Sequence, residues 1–527
     1  MAPSHVTILG AGLTGLTAAY RLISSPLLPS STRITLVDSS RHIGGWVDST
    51  RHAVGFKGQD GEMIEGELVL EGGPRSIRPR GSRGAPNMLR LIRDVGLEEA
   101  ILPIPLSHPA AKNRYILDPL SSPSPIAIRL SPFAKKPAVL NQALPSILTE
   151  PFRRRNSPPE TEKDESIHDF LTRRFNPATA RLASAMMHGI YAASTTELSA
   201  QSVLRGVYDG EREYGSVIVG AFRKSRTTKA RKAKEDDMKE WNELGLLGKM
   251  RESWSMYGLR GGMGTLTNKL ENEIRRRGVE IRSGEAVSSI KPNPGNDVEI
   301  KTTSDTFKTS HVISTLPPLT LSHLLPASST LPHLDVNPHT SLYVVSLVYA
   351  IPPTRIHPDG FGYLLPRTPA SHNPYGILGC VFDSTALPSV DDQALEGKIT
   401  KLTIMMGGPY WSVYEPNVHR PVDDDEAIEM ATSHIQGVFP ALKNIQSLLA
   451  ISRSHQNAIP TYLPGHQQRL RGIHRAIKHG PWNGKLSLAG NGYGGVGVND
   501  CVFSAEEAVK GIIDGNQVTG LERWADQ

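Results

Sequence analysis

The chain has 527 residues, 38% hydrophobic and 21% charged, which is too long for one hydrophobic core and offers no run of about 18 apolar residues for a membrane span. A formal charge of +6 and an isoelectric point near 9.1 suit an anionic partner. Nucleic acid fits poorly, because the basic stretch 223–239 lacks interleaved aromatics, and two distant cysteines with scattered histidines exclude a disulfide framework or a metal site.

The first predicted element is a strand, Val6 to Leu9, that enters the turn Gly10-Ala11-Gly12-Leu13-Thr14-Gly15 and continues into a helix. Gly10 permits the tight turn, Gly12 lets backbone approach a pyrophosphate, and Gly15 lets helix pack against strand. Helix amides from Leu13 onward point at the phosphates. A second strand, Ile34 to Val37, ends on Asp38, which can accept hydrogen bonds from a ribose diol. Beyond the acid come Ser39, Arg41, Gly44, Gly45 and Trp46. NAD dehydrogenases usually stop at the acid. This extension is similar to the FAD signature of amine-oxidase-like flavoproteins, with Arg41 as a counter-charge, so the expected cofactor is FAD.

The fold class expected is α/β (α+β overall), with a discontinuous Rossmann-like FAD-binding domain formed by residues 1–90, 257–329 and 456–527. Residues 91–215 form a helical lobe, 216–256 a basic insertion and linker, and 330–455 a mixed-sheet substrate domain. The amphipathic pattern predicts a helix from Leu266 to Arg277, followed by Val279–Ile281 and Glu285–Ile290 as paired short strands. His311 to Leu316 is a buried strand stopped by prolines. Val344–Tyr349 and Lys401–Met406 are the clearest strands of the substrate domain. Near the C-terminus, Leu486–Leu488 enters a glycine turn, and Asn499 or Asp500 caps a final helix through Ala508. The stretch 223–239 mixes both signs of charge and is expected to be a solvated, partly disordered insertion. Because the opening strand starts about five residues in, a cleavable presequence is not expected.

Four segments carry a more specific likeness: Gly72-Gly73-Pro74-Arg75-Ser76-Ile77-Arg78-Pro79, His108 to Tyr115, Gly360 to Pro366, and Val496-Gly497-Val498-Asn499-Asp500-Cys501. With them the chain resembles the oxygen-dependent protoporphyrinogen oxidase family of haem biosynthesis over nearly its full length. The resemblance implies non-covalent FAD and oxidation of protoporphyrinogen IX to protoporphyrin IX by hydride transfer to flavin N5. Three molecules of oxygen would leave as hydrogen peroxide. No nucleophile–base constellation is found, and flavin chemistry requires none.

By the same resemblance Arg114 anchors a substrate propionate, with a surface salt bridge as the alternative. Leu364 and Met405 clamp the tetrapyrrole, with plain core as the alternative. Gly73, Pro74, Arg75 and Ser76 form a flavin-contacting loop; there Arg75 would steer substrate or stabilise reduced flavin, with an ion pair within the loop as the alternative. Val287 lies at the adenine end, while Trp46, Asn491, Val496, Gly497 and Val498 touch flavin. His188 departs from the arginine of animal relatives and is a weaker carboxylate partner. The helical lobe, with Arg129, Lys135 and Lys136, resembles a monotopic membrane-binding domain, unless it simply caps the cleft. The implied location is the mitochondrial inner membrane, facing the intermembrane space, with a homodimer and ferrochelatase as candidate partners.

An amine or polyamine oxidase on the same scaffold is the alternative. Against it, Asn491 to Gly494 offers no cysteine tether, and Arg75 with Arg114 would repel a cation. A silent scaffold is a third reading, disfavoured because Gly12, Gly15 and Gly45 are all present.

Overall fold

The computed structural model describes residues 3–58, 60–128, 134–153, 164–224, 226–294, 297–414, 418–516 and 518–525. The opening strand, His5–Leu9, stands at the centre of a five-stranded sheet. The strand order is Leu486–Leu488, His311–Ser314, His5–Leu9, Arg33–Asp38, Glu280–Ser283, and every pair is parallel. Both faces are covered, which is why these strands read as continuous apolar runs. Val6, Ile8, Ile34 and Leu36 pack towards the helices Leu13–Ile23, Gly264–Arg276 and Val498–Ile513. Leu9, Val37 and Val312 point the other way, towards the helix His466–His479 and a three-stranded antiparallel sheet.

Two sequence expectations are corrected here. Glu280–Ser283 joins the parallel sheet beside Arg33–Asp38, while Val287–Pro292 pairs with Val298–Thr302, so the two are not partners. Gly284, with φ +74°, turns the chain between the sheets. The basic insertion is a helix, Thr228–Glu243. It is moored by Trp241, whose ring centre lies 3.7 Å from the Arg251 guanidinium.

The second sheet has seven strands in the order Leu449–Pro460, His339–Tyr349, Thr400–Gly407, Ile377–Phe382, Gly362–Leu364, Tyr115–Ile116, Ile126–Ala127. One face buries Tyr363, Cys380, Ile404 and Val345 beneath the helix Asp424–Val438. The other face is turned towards the glycine loops. Lys401 ties the sheet to the strand Met63–Glu71: its Nζ lies 2.7 Å from both Asp391 oxygens and 2.9 Å from the Val69 carbonyl. Both charges are buried, so the added backbone bonds are what offset their desolvation.

The helices Ala138–Thr149, Ile167–Arg174, Pro177–Tyr191, Arg205–Tyr214 and Val217–Lys224 form a lobe. Glu150 organises it. The carboxylate pairs with Arg174 at 2.5 Å and accepts from Ser216 Oγ and the Val217 and Ile218 amides at 2.7, 2.7 and 3.2 Å. Burial opposes its charge, yet these bonds hold its carboxyl below the usual range. Among the described residues no helix is long and apolar enough to cross a membrane.

Glu71 ends its strand half-buried, accepting from Ser49 Oγ at 2.6 Å and from the Met263 amide at 2.7 Å. Burial pushes its carboxyl up to about 7, against those bonds and the charges of Arg75 and Lys401. A raised carboxyl value means the unfolded chain releases this proton at lower pH, so its contribution to stability is lost as pH rises from about 4.5 through 7. Glu71→Gln is therefore expected to gain thermal stability relative to wild type between pH 5 and pH 8, by up to about 3 kcal/mol. Equal melting shifts at both pH values would refute this.

Candidate active site

The glycine turn is built as its spacing requires. Gly10 has φ +95°, and a Cβ on Gly15 would lie 1.9 Å from the Gly10 carbonyl oxygen, so helix and strand touch through backbone alone. Gly12 caps the helix Leu13–Ile23 without a side-chain hydrogen bond, leaving Leu13 and Thr14 in an uncapped first turn. A Cβ on Gly12 would meet the Gly45 Cα at 3.8 Å and the Gly44 carbonyl oxygen at 3.9 Å, so the turn packs against the second glycine pair at ordinary contact distance. The Ala11 carbonyl accepts from the Gly44 amide at 3.0 Å, and a Gly45 Cβ would lie 3.0 Å from the Gly12 Cα.

Asp38 accepts from the Ala11 amide at 2.6 Å and the Ser40 amide at 2.7 Å, so it fixes the turn while each oxygen keeps lone pairs for a ribose. Ser39 and Arg41 are exposed, and the Arg41 stem lies over Gly284. Val287 comes close because the Gly284 and Glu285 amides donate to the Ser40 and Asp38 carbonyls, both at 2.9 Å.

Trp46 is 42% exposed and meets the edge of His455, with ring centres 5.5 Å apart. His455 also donates from Nε2 to the Gly72 carbonyl at 2.5 Å. A Cβ on Gly73 would lie 2.1 Å from the Trp46 carbonyl oxygen, which presses Gly73 and Pro74 onto the Trp46 loop. Ser76 follows, half-buried. Arg75 Nη1 donates to both Asp383 oxygens at 3.0 and 3.2 Å, and Asp383 accepts from Thr403 Oγ1 at 2.5 Å. The guanidinium forms an ion pair, and its partner lies outside the loop.

Leu364, Gly379, Met405, Val344 and Arg453 stand in one register row across five strands. Opposed residues share a face. Arg453 and His455 touch the Gly72 loop, so the row faces the glycine segments. Leu364 and Met405 are therefore neighbours on that face, with only Gly379 between them. Gly189, exposed on the helix Pro177–Tyr191, abuts Leu364 from above: a Cβ there would lie 2.9 Å from Leu364 Cδ2. Met186 and Ile190 flank it, both exposed.

The Arg114 guanidinium lies 4.9 Å above the Phe361 ring and pairs with no carboxylate among the described residues. Burial pushes its pKa down, and the charge of Arg78 acts in the same direction. His188 is buried, with Nδ1 2.8 Å from the Leu365 carbonyl and Nε2 2.9 Å from Tyr414 Oη. Nδ1–H must donate to the carbonyl, so Nε2 accepts from the tyrosine. Burial lowers its pKa to about 4, so it is neutral and fully occupied.

At the C-terminal side, Asn491 opens a short turn and donates from its amide to the Ala458 carbonyl at 3.2 Å. Tyr462 Oη donates to the Asn491 carbonyl and accepts from the Gly495 amide. Val496 and Gly497 lead into the helix Val498–Ile513. Its N-cap is Gly497, not Asn499 or Asp500, and it extends beyond Ala508. Asn499 instead spends its amide on the Arg78 carbonyl at 2.9 Å. Burial pushes the Cys501 thiol up to about 12, so it is no nucleophile for a flavin tether.

Sequence reasoning missed His455, Gly189, Gly379 and Arg78. Only Arg78 carried a signal, lying inside the Gly72–Pro79 motif.

A family model described as flavin containing amine oxidoreductase matches residues 13–513. The chain is 30% identical over 519 residues to a Homo sapiens protein named protoporphyrinogen oxidase, covering 96% of this chain and 98% of the human one. A Schizosaccharomyces pombe protein of the same name is 29% identical with the same coverage. A crystal structure from Exiguobacterium sp. 255-15 shares the fold at a TM-score of 0.71 and 20% identity, covering 98% of this chain and all of that one.

The residues present fit FAD: a side-chain-free glycine turn, an uncapped helix terminus and an acid with free lone pairs meet at one end of the parallel sheet. Gly12→Val should purify without the yellow flavin absorbance, because its side chain occupies the backbone surface a pyrophosphate must approach. Gly15→Ala should instead lower the melting temperature sharply. A normal flavin spectrum in Gly12→Val would contradict the cradle.

Proposed function

The chain belongs to the flavin-containing amine oxidoreductase family, and from its near-full-length similarity to protoporphyrinogen oxidases we infer an FAD-dependent enzyme that oxidises protoporphyrinogen IX to protoporphyrin IX. Three molecules of oxygen are reduced to hydrogen peroxide. The observation that carries the substrate reading is the combination of Arg114, a half-buried cation without a carboxylate partner among the described residues, with an apolar wall of Leu364 and Met405. The glycine turn and Asp38 would hold FAD, which would supply hydride acceptance and electron transfer to oxygen.

This chain's residues supply the rest. Leu364 and Met405 offer a flat apolar surface beside the Trp46 loop, and the polarisable thioether adapts to a planar ring. The Arg114 fork takes a propionate in bidentate fashion and so fixes which ring edge approaches the cofactor. Phe361 beneath it restricts the guanidinium's freedom before binding, which lowers the ordering cost. His188 neither holds a carboxylate nor takes a proton, since both ring nitrogens are engaged. An amine substrate is disfavoured by the unneutralised Arg114 charge.

A membrane role rests on the helical lobe. Phe152 is 89% exposed, Leu148 72% and Phe222 60%, all around the Glu150 hub. The Arg226 guanidinium lies 4.0 Å over the Phe222 ring, and Arg223 and Lys224 end the same helix. Apolar side chains rimmed by cations suit monotopic attachment to acidic lipid. Lys135 and Lys136 lie in the same lobe, while Arg129 falls outside the described residues. Placement on the inner mitochondrial membrane facing the intermembrane space, homodimer formation and contact with ferrochelatase rest on the motif resemblance alone.

Anaerobic mixing with protoporphyrinogen IX should bleach the bound cofactor; an unaltered spectrum would refute the substrate assignment. Arg114→Ala should raise KM by one to two orders of magnitude, a loss of about 1.5–3 kcal/mol for a charge-assisted bond. Unchanged kinetics would remove its role. The protein should co-sediment with cardiolipin vesicles, and Phe152→Ser with Phe222→Ser should weaken that binding. Equal sedimentation of the double variant would favour a lobe that only covers the cleft.

A further inference from the structure

We propose that Arg78 is a second carboxylate-binding residue, set beside Arg114 so that the two guanidiniums hold the two propionates of one substrate. The inference rests on the porphyrinogen reading above and deepens it. Three arginines follow one another along residues 75–80, and two are engaged by the protein. Arg75 is held by Asp383. Arg80 donates from Nη2 to the Glu252 and Trp254 carbonyls, both at 2.9 Å. Arg78 is exposed, and among the described residues its guanidinium has neither an ion pair nor a side-chain hydrogen bond.

The backbone that carries Arg78 is nevertheless fixed on both sides. Ile77 exchanges hydrogen bonds with Tyr257 at 2.8 and 2.9 Å, and the Arg78 carbonyl accepts from Asn499 at 2.9 Å. A long cationic side chain on a rigid, hydrogen-bonded stretch is held over a defined region of surface.

That region is shared with Arg114. Arg75 reaches Asp383, and two residues on Thr385 donates from Oγ1 to the Gly360 carbonyl at 2.7 Å. The next residue, Phe361, lies beneath Arg114. The charge of Arg78 is also felt at Arg114, where it adds to the effect of burial. Two like charges within Coulombic reach, neither with an ion pair among the described residues, repel each other until an anion enters. A dianion relieves that repulsion more than a monoanion does, and each guanidinium fork matches one carboxylate. The pair would thus select for a substrate with two acidic arms.

The test compares protoporphyrinogen IX with its dimethyl ester in wild type, Arg78→Gln, Arg114→Gln and the double variant. Arg78→Gln should raise KM for the diacid by about tenfold, the loss of one charge-assisted contact, with a smaller effect on kcat. It should move KM for the dimethyl ester by less than about twofold, since no carboxylate remains to be held. Flavin content and melting temperature serve as controls for the fold. An unchanged KM for the diacid overturns the proposal, and so does an equal rise for both substrates, which would mark a structural role. Neither result touches the porphyrinogen reading if wild type turns over. A wild-type flavin reduced by neither substrate would overturn both.

Discussion

Backbone meeting backbone is the constraint on which the rest of this molecule depends. At three crossings a single methyl group would collide with backbone: on Gly15 against the Gly10 carbonyl, on Gly73 against the Trp46 carbonyl, and on Gly84 within 1.9 Å of the Asn499 carbonyl. Each crossing joins segments that are separate in sequence or in structure. Together they draw the Trp46 loop, the Gly72–Pro74 loop and the start of the helix Val498–Ile513 around one opening. Main-chain contacts of this kind leave little freedom to adjust, so the shape of the opening is set before any ligand arrives.

Charge is distributed by the same economy. Arg75, Arg173, Arg174 and Arg181 are all paired with acids, and these pairs hold loops, helices and sheet together. Arg174 with Glu150 is the most buried of them, and its stability comes from the additional donors around Glu150 rather than from Coulomb attraction alone. Arg78 and Arg114 stand apart because nothing in the described protein neutralises them. The contrast separates arginines that maintain architecture from those with bonding capacity left for a visitor.

Local patterns were legible in the sequence and non-local partnerships were not. The glycine turn, the acid ending the second strand and the buried strands at 311–314 and 401–406 each declare themselves within a dozen residues, where periodicity and glycine spacing act directly. The pairing of Glu280–Ser283 with Arg33–Asp38 joins distant parts of the chain, and nothing local distinguishes it from a hairpin. Gly189 and Gly379 are silent for the same reason: their meaning lies in the Leu364 side chain that fits between them. The helix Thr228–Glu243 was misread because a high density of mixed charge suggests a solvated coil, although lysine, glutamate and alanine are good helix formers. Arg75 could be identified but not assigned, since its partner Asp383 opens a short helix more than 300 residues along the chain.

The parallel sheet has its own consequence for how the protein is made. The opening strand is flanked by Arg33–Asp38 on one side but by His311–Ser314 on the other, and that strand needs Leu486–Leu488 in turn. A ribosome releases the first of these long before the others. Until then a sticky, half-paired ribbon stands open to other nascent chains. Such delayed partnering predicts slow maturation that leans on chaperones, with the vitamin-derived cofactor entering only after translation has passed the final strand.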